Sequence, residues 1–265
     1  MLILIAIILG IVEGLTEFVP VSSTGHLIVI CHALDFSGDK ASTFQVFIQL
    51  GAILAVTLLY RQRIARLFRF GKNTGLQGRR GLSLIALTTL PAVVVGLLLH
   101  DFIKDNLFQP LTVAIGLFIG GVIILIFESK HHEPTITSLD DITPRQALGV
   151  GLAQLAALWP GVSRAGSTII GGVLFGLDRK TAVEYSFLIA IPVMIAATGY
   201  DLLKGVLAGD VLASDFPLFA TGFITAFIAA ALAVRYLVTF VQRYSFRPFG
   251  WYRIIMAIVI VLVLV

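Results

Sequence analysis

Six stretches of the chain are apolar runs of membrane-crossing length: residues 42–60, 82–99, 108–128, 183–201, 216–240 and 250–265. A helix needs about 20 mainly apolar residues to traverse the ~30 Å hydrocarbon core. Four further stretches fit less well. Residues 2–19 are apolar but interrupted by Glu13 and Glu17, and residues 22–34 are short and open with Ser22-Ser23-Thr24-Gly25-His26. Residues 145–159 are short and end at Trp159-Pro160, and residues 162–176 open with Val162-Ser163-Arg164-Ala165-Gly166-Ser167-Thr168. These four come as two adjacent pairs, each broken by polar, proline-containing sequence. The pattern predicts two re-entrant helical hairpins, a shape tolerated where the break is buried in protein or lines a wet cavity. The plainer alternative is that each pair is one kinked span or two ordinary ones.

Composition agrees with the pattern. The chain has 265 residues, of which 58% are hydrophobic and 13% charged, and its mean hydropathy is +0.99. A soluble domain has about 45–50% apolar and about 25% charged residues. A soluble monomer, a disordered chain, a coiled coil and a disulfide scaffold are therefore excluded, the last also because Cys31 is the only cysteine. A single integral membrane domain over residues 1–265 is expected, all-α and polytopic. No nucleic-acid partner is implied. The first residues are apolar from Leu2 without a basic leader, so they are expected to belong to the fold and not to a removed signal.

Charge placement orients the spans. If hairpin one starts on a side X and returns to it, the segments near 35–41, 100–107 and 202–215 lie on X. With their edges they carry Lys40, Lys104 and Lys204 as bases, against Asp35, Asp39, Asp101, Asp105, Asp201, Asp210 and Asp215. The opposite side Y receives Arg61, Arg63, Arg66, Arg69, Lys72, Arg79 and Arg80, loop 129–144, Arg179-Lys180 and loop 241–249. Cytoplasmic loops are enriched in Lys and Arg, which makes Y cytoplasmic. In a bacterium both chain ends would then face the periplasm or exterior.

A weak repeat appears at an ungapped offset of 141 residues. It pairs Gly10 with Gly151, Glu13 with Gln154, Phe18 with Trp159, Val21 with Val162, Ser22 with Ser163 and Gly25 with Gly166. Each half, roughly 1–130 and 142–265, would hold one hairpin and three spans. An odd number of crossings makes the halves inverted copies. The two broken tips would then meet inside the protein.

Those tips hold the candidate chemistry, because an ionisable group within the membrane is costly unless it has a function or a partner. Glu13 and Glu17 are four apart and share a helical face. They could hold Mg²⁺ or Ca²⁺, which prefer oxygen ligands, supply a general base, or simply be neutralised by Arg164. Ser23 and His26 lie three apart, a nucleophile–base spacing, and His26 could itself attack phosphorus. The plainer role for Ser22 and Thr24 is helix capping. In the second tip, Arg164 offers a fork suited to phosphate oxygens, and a helix N-terminus offers free N–H groups to an anion. Substrate contacts are expected from Ser22, Thr24 and Gly25 in the first tip. In the second they are expected from Gly161, Ser163, Gly166, Ser167 and Thr168. The set favours phosphate transfer or hydrolysis. The rival is a secondary transporter or lipid flippase with a mid-membrane anion site.

At these residues the chain resembles the undecaprenyl-diphosphate phosphatase family of the bacitracin-resistance type. Glu13-Gly14-Leu15-Thr16-Glu17 is similar to that family's glutamate motif, and Pro20-Val21-Ser22-Ser23-Thr24-Gly25-His26 to its serine–histidine motif. Pro160–Thr168 is similar to its Pro-Gly-x-Ser-Arg-Ser-x-x-Thr motif, with Ala165 in place of the second serine. The resemblance implies hydrolysis of undecaprenyl diphosphate to the monophosphate and inorganic phosphate. This recycles the lipid carrier of peptidoglycan synthesis and confers bacitracin resistance. It also implies a divalent cation, Mg²⁺ or Ca²⁺, near Glu13 and Glu17, and a site toward the outer face of the plasma membrane. Glu17, Ser23, His26 and Arg164 become the strongest catalytic candidates, with Glu13 and Thr168 behind them. The polyprenyl tail is expected along apolar helix faces among membrane lipids, and a homodimer is compatible with the family.

Overall fold

The computed structural model describes residues 1–71, 74–130, 133–209 and 213–265. Lys72 and Asp210, two of the loop charges, lie outside the described residues. Among the described residues the chain forms twelve α-helices. Four are short: α1 (Leu2–Thr16), α2 (Ser23–Ala33), α8 (Pro144–Gln154) and α9 (Arg164–Leu174). Six are long and apolar enough to cross a membrane: α3 (Asp39–Leu59), α5 (Gly78–Leu98), α7 (Pro110–Glu128), α10 (Arg179–Ala208), α11 (Phe216–Phe240) and α12 (Arg247–Leu264). The remaining two, α4 (Arg61–Leu67) and α6 (His100–Leu107), occupy stretches that hydropathy reads as loops. The protein is a multi-pass, all-α membrane protein.

Helix ends follow capping more than hydropathy. The run expected at 183–201 is part of a longer helix, because Asp178 caps α10 by accepting the Thr181 N–H at 2.7 Å. That helix ends only where Gly209 turns left-handed, at φ 82°. Hydropathy reports which part of α10 suits lipid, and the caps report where the backbone stops being helical.

The short helices pair as expected. The 15 residues of α1 reach about 22 Å and the 11 residues of α2 about 16 Å at ~1.5 Å per residue. Neither spans ~30 Å of hydrocarbon. Helix α1 packs on α2 and α8 on α9, so each pair folds back on itself. Both halves then read short, short, long, long, long once the small helices α4 and α6 are set aside. Contacts exchange between the halves in the same way. Helix α1 packs on α11 as α8 packs on α5, and α11 packs on α3 as α5 packs on α10. Close approach of α1 to α11 depends on small residues: a Cβ on Gly14 would stand 2.4 Å from the Ala226 carbonyl oxygen. Small residues let membrane helices bring their backbones together.

Ion pairs between connecting segments respect the division into X and Y. Lys40 meets Asp215, and His100 meets Asp201, within the acidic set. Arg63 meets Asp140, and Arg179 meets Glu128, within the basic set.

Candidate active site

The two hairpins are broken at the same kind of turn. Ser22 and Ser163 precede α2 and α9 with φ of 69° and 74°. A non-glycine residue held there costs about 1–3 kcal/mol, so the turn persists only where its surroundings enforce it. At the second tip the Ser163 hydroxyl caps α9 by accepting the Gly166 N–H at 3.1 Å. At the first tip Ser22 makes no side-chain cap. Its carbonyl instead accepts from His26 Nδ1 at 2.7 Å. A carbonyl can only accept, so Nδ1 carries the proton. In the neutral ring Nε2 then accepts the Tyr252 hydroxyl proton, at 2.6 Å.

Glu17 joins the two tips. Its Oε2 accepts the Ser23 hydroxyl at 2.6 Å, and its Oε1 accepts Arg164 Nη2 at 3.0 Å. The Glu17 and Arg164 side chains are only 11% and 12% exposed, which makes the pair a buried one. Arg164 also donates to the Ser186 carbonyl at 3.3 Å and lies 5.3 Å from the Phe18 ring centre. Its Nε is buried without a partner among the described residues. Ser23 and His26, placed together by their spacing, are not bonded to each other: Ser23 donates to Glu17, and His26 meets Ser22 and Tyr252.

Glu13 is fully buried, and neither carboxylate oxygen has a hydrogen-bond partner among the described residues. A buried carboxylate without a hydrogen-bond donor is costly in its ionised form. Two oxygen-rich side chains one helical turn apart suit a hard divalent cation or a proton. Among the described residues no three of His, Cys, Asp and Glu gather into a metal cluster.

Several of the tip residues expected to contact substrate also brace the tips. Thr168 bonds the Ser186 hydroxyl at 2.6 Å and donates to the Arg164 carbonyl at 2.9 Å, tying α9 to α10. Ser167 donates to the Ser163 carbonyl at 3.0 Å. A Cβ on Gly25 would meet Leu117 at 2.7 Å, and one on Gly161 would meet the Val113 carbonyl at 2.2 Å. Both glycines make room for α7.

Two residues of α12, which the sequence pattern counts only as part of an apolar span, contact the tips. Tyr252 holds His26. Arg253 is 1% exposed and donates to the carbonyls of Pro20, Gly161 and Val162 in the tips and of Gly116 and Leu117 in α7. Its signal was present in the pattern, as an ionisable group inside the apolar run 250–265.

Comparison with known proteins adds an independent finding. The profile of the family described as Bacitracin resistance protein BacA matches residues 6–259. The undecaprenyl-diphosphatase of Desulfovibrio desulfuricans is 52% identical over 254 residues, covering 96% of this chain and 95% of the relative. Undecaprenyl-diphosphatase 1 of Bacillus thuringiensis (strain Al Hakam) is 52% identical over 256 residues, covering 97% and 96%. The undecaprenyl-diphosphatase of Oleidesulfovibrio alaskensis is 51% identical over 260 residues, covering 98% and 97%.

Proposed function

The chain belongs to the Bacitracin resistance protein BacA family, and from that premise we propose that its two tips form the active site of a membrane hydrolase. The enzyme converts undecaprenyl diphosphate to undecaprenyl phosphate and inorganic phosphate, and so recycles the carrier lipid of peptidoglycan synthesis. One observation carries the assignment of the site. The chain of contacts Ser23–Glu17–Arg164 puts a hydroxyl, a carboxylate and a guanidinium from both tips in direct contact.

Arg164 and the N–H groups at the starts of α2 and α9 hold the diphosphate oxygens. Ser23 Oγ attacks the terminal phosphorus, and its proton passes to Glu17. The bond from that phosphorus to the bridging oxygen breaks, and the bridging oxygen leaves with the lipid phosphate. Water then attacks the phosphoserine, its proton passing by way of the Tyr252 hydroxyl to His26 Nε2, and His26 returns that proton to the departing inorganic phosphate. Ser23 departs from phosphorus and recovers its proton from Glu17. A divalent cation, Mg²⁺ or Ca²⁺, would be held by Glu13 and Glu17 and would neutralise phosphate charge. The unpartnered oxygens of Glu13 support this role.

In this reading the protein sits in the bacterial plasma membrane with Y in the cytoplasm, so its termini and site opening face outward. The halves are inverted repeats, and the prenyl tail lies among lipids against apolar helix faces. A transporter is not favoured, because a carrier has no need of a hydroxyl held on a buried carboxylate.

Phosphate release from C15 and C55 prenyl diphosphates, with Mg²⁺ and with chelator, tests the activity and the cation together. Rapid quenching during turnover tests the nucleophile. Acid-stable phosphate on Ser23 is the expected result. Acid-labile phosphate on His26, or no phosphoenzyme at all, would reject Ser23.

A further inference from the structure

Arg253 lies in the last transmembrane helix, far in sequence from both tips, yet its guanidinium is where they meet. Nη1 donates to the Pro20 carbonyl at 3.3 Å, three residues before Ser23. Nη2 donates to the carbonyls of Gly161 at 3.0 Å and Val162 at 2.8 Å, just ahead of Arg164. Nη2 and Nε also reach the carbonyls of Gly116 and Leu117 in α7, at 3.3 and 3.4 Å. All five partners are backbone oxygens, and none is a carboxylate.

Two physical facts make this arrangement informative. A broken helix inside a membrane exposes carbonyls that neither lipid nor helix can satisfy. A buried, unneutralised guanidinium is itself expensive. A planar fork with five N–H donors answers the first problem for both tips at once, and lysine, with three donors on a single nitrogen, cannot. Room for the fork is provided locally. A Cβ on Gly120 would stand 2.0 Å from Nη2, and one on Gly166 would stand 3.2 Å from Nη1.

We propose that Arg253 is a positioning residue: it staples the two re-entrant tips through their backbone carbonyls, so that Ser23 on one tip is aimed at the phosphorus held by the other. This rests on the reading of the tips as the phosphatase site. Without the staple the diphosphate still binds at Arg164, but the attacking oxygen is no longer in line. A misplacement of about 1 Å costs on the order of 10²-fold in rate.

The test compares wild type, Arg253→Gln, Arg253→Lys, Gly120→Ala and the Gly120→Ala/Arg253→Gln double variant. Each is assayed for phosphate release from farnesyl diphosphate with Mg²⁺, after checks for monodisperse elution and thermal melting. The expected result for Arg253→Gln and Arg253→Lys is a kcat lower by about 10²-fold with KM within about 3-fold. Gly120→Ala should show the same split, because alanine suits helix α7 but displaces the guanidinium. The double variant should be no worse than Arg253→Gln alone, since both act through one contact. If Arg253→Gln does not fold, Gly120→Ala and Arg253→Lys carry the same comparison. An unchanged kcat in folded Arg253→Gln would overturn the proposal. So would a raised KM at normal kcat, which would make Arg253 a phosphate ligand, or additive losses in the double variant. Activity that survives in Arg253→Gln but is lost in Arg164→Ala sinks this inference alone. A wild type that releases no phosphate sinks the assignment of the active site.

Discussion

Ser22 and Ser163 occupy matching places at the heads of α2 and α9, with φ of 69° and 74°, but their neighbourhoods do different work. At the second tip the serine hydroxyl caps its own helix, and the functional group presented is the Arg164 guanidinium. The first tip leaves its cap unmade and spends the Ser22 carbonyl on orienting His26. Around that turn stand Ser23, Glu17 and Glu13, the groups able to attack, accept a proton or hold a cation. In the proposed mechanism the same backbone device thus serves a chemical tip and an anion-holding tip. Strained turns of this kind persist where structure over-determines them, and here each turn is pinned by the Arg253 guanidinium as well as by its own helix. The two tips divide the labour in that mechanism, so that neither alone carries a complete phosphatase site.

The comparison breaks most directly at the bond that joins the tips. Glu17→Gln removes both the proton acceptor of Ser23 and the counter-charge of Arg164, and should lower kcat/KM by about 10³-fold or more in a phosphate-release assay. Arg164→Lys keeps the charge but loses the fork that meets Glu17 and the Ser186 carbonyl together. Its expected loss is about 10²-fold. A Glu17→Gln enzyme of normal activity would show that the contact between the tips is structural.

A smaller effect belongs to the first tip alone. Tyr252→Phe removes the hydroxyl on His26 Nε2 while leaving Nδ1 fixed by Ser22. We expect about a 10-fold fall in kcat with little change in KM. An equal fall in Ser23→Ala and Ser23→Ala/Tyr252→Phe backgrounds would show that Tyr252 acts only through the same chemistry.

Capping separates the tips by stability instead of rate. Ser163→Ala should cost about 1 kcal/mol, the usual value of a lost N-cap. Ser22→Ala has no cap to lose and should cost less. Melting of the two variants side by side measures the difference, and equal losses would contradict it.

The smallest effect lies on the rim leading into the second half. Burial alone would push the Asp140 carboxyl up, but the Leu76 N–H, the Arg63 contact and nearby Arg66 outweigh it and hold it below its ordinary 3.8. A carboxyl depressed in the folded state contributes stability above the unfolded value and loses it as pH falls through the folded one. The pair is partly exposed, so the contribution at neutral pH should stay below about 1 kcal/mol. Asp140→Asn should fall slightly under wild type in melting near neutrality, and the gap should close as acid protonates the Asp140 carboxyl. The opposite order would contradict this assignment.

Much of this was legible in the sequence for one reason: polar residues are conspicuous against an apolar background. All six spans appear in the expected places, and the four polar interruptions mark both tips. Helix ends were less legible, because hydropathy senses lipid while caps such as Asp178 and Gly209 set the backbone. Hydropathy reads α4 and α6 as loops because their charged residues outweigh the apolar signal. Partnerships were hidden further still. Spacing put His26 beside Ser23, whereas the positive φ at Ser22 turns the imidazole toward its own carbonyl. Arg253 stands within the apolar run 250–265, where hydropathy averages its charge away. Its partners are backbone oxygens 91 to 233 residues away, and backbone oxygens carry no mark in a sequence.

The central claim, that two tips form one phosphatase site, is tested most directly by phosphate release from undecaprenyl diphosphate by purified wild type, Ser23→Ala and Arg164→Ala. Each substitution removes a group from a different tip. The account expects Mg²⁺-dependent release by the wild type and its near-complete loss in both folded variants. Normal release by either folded variant would contradict the claim, because one tip would then suffice without that group of the other.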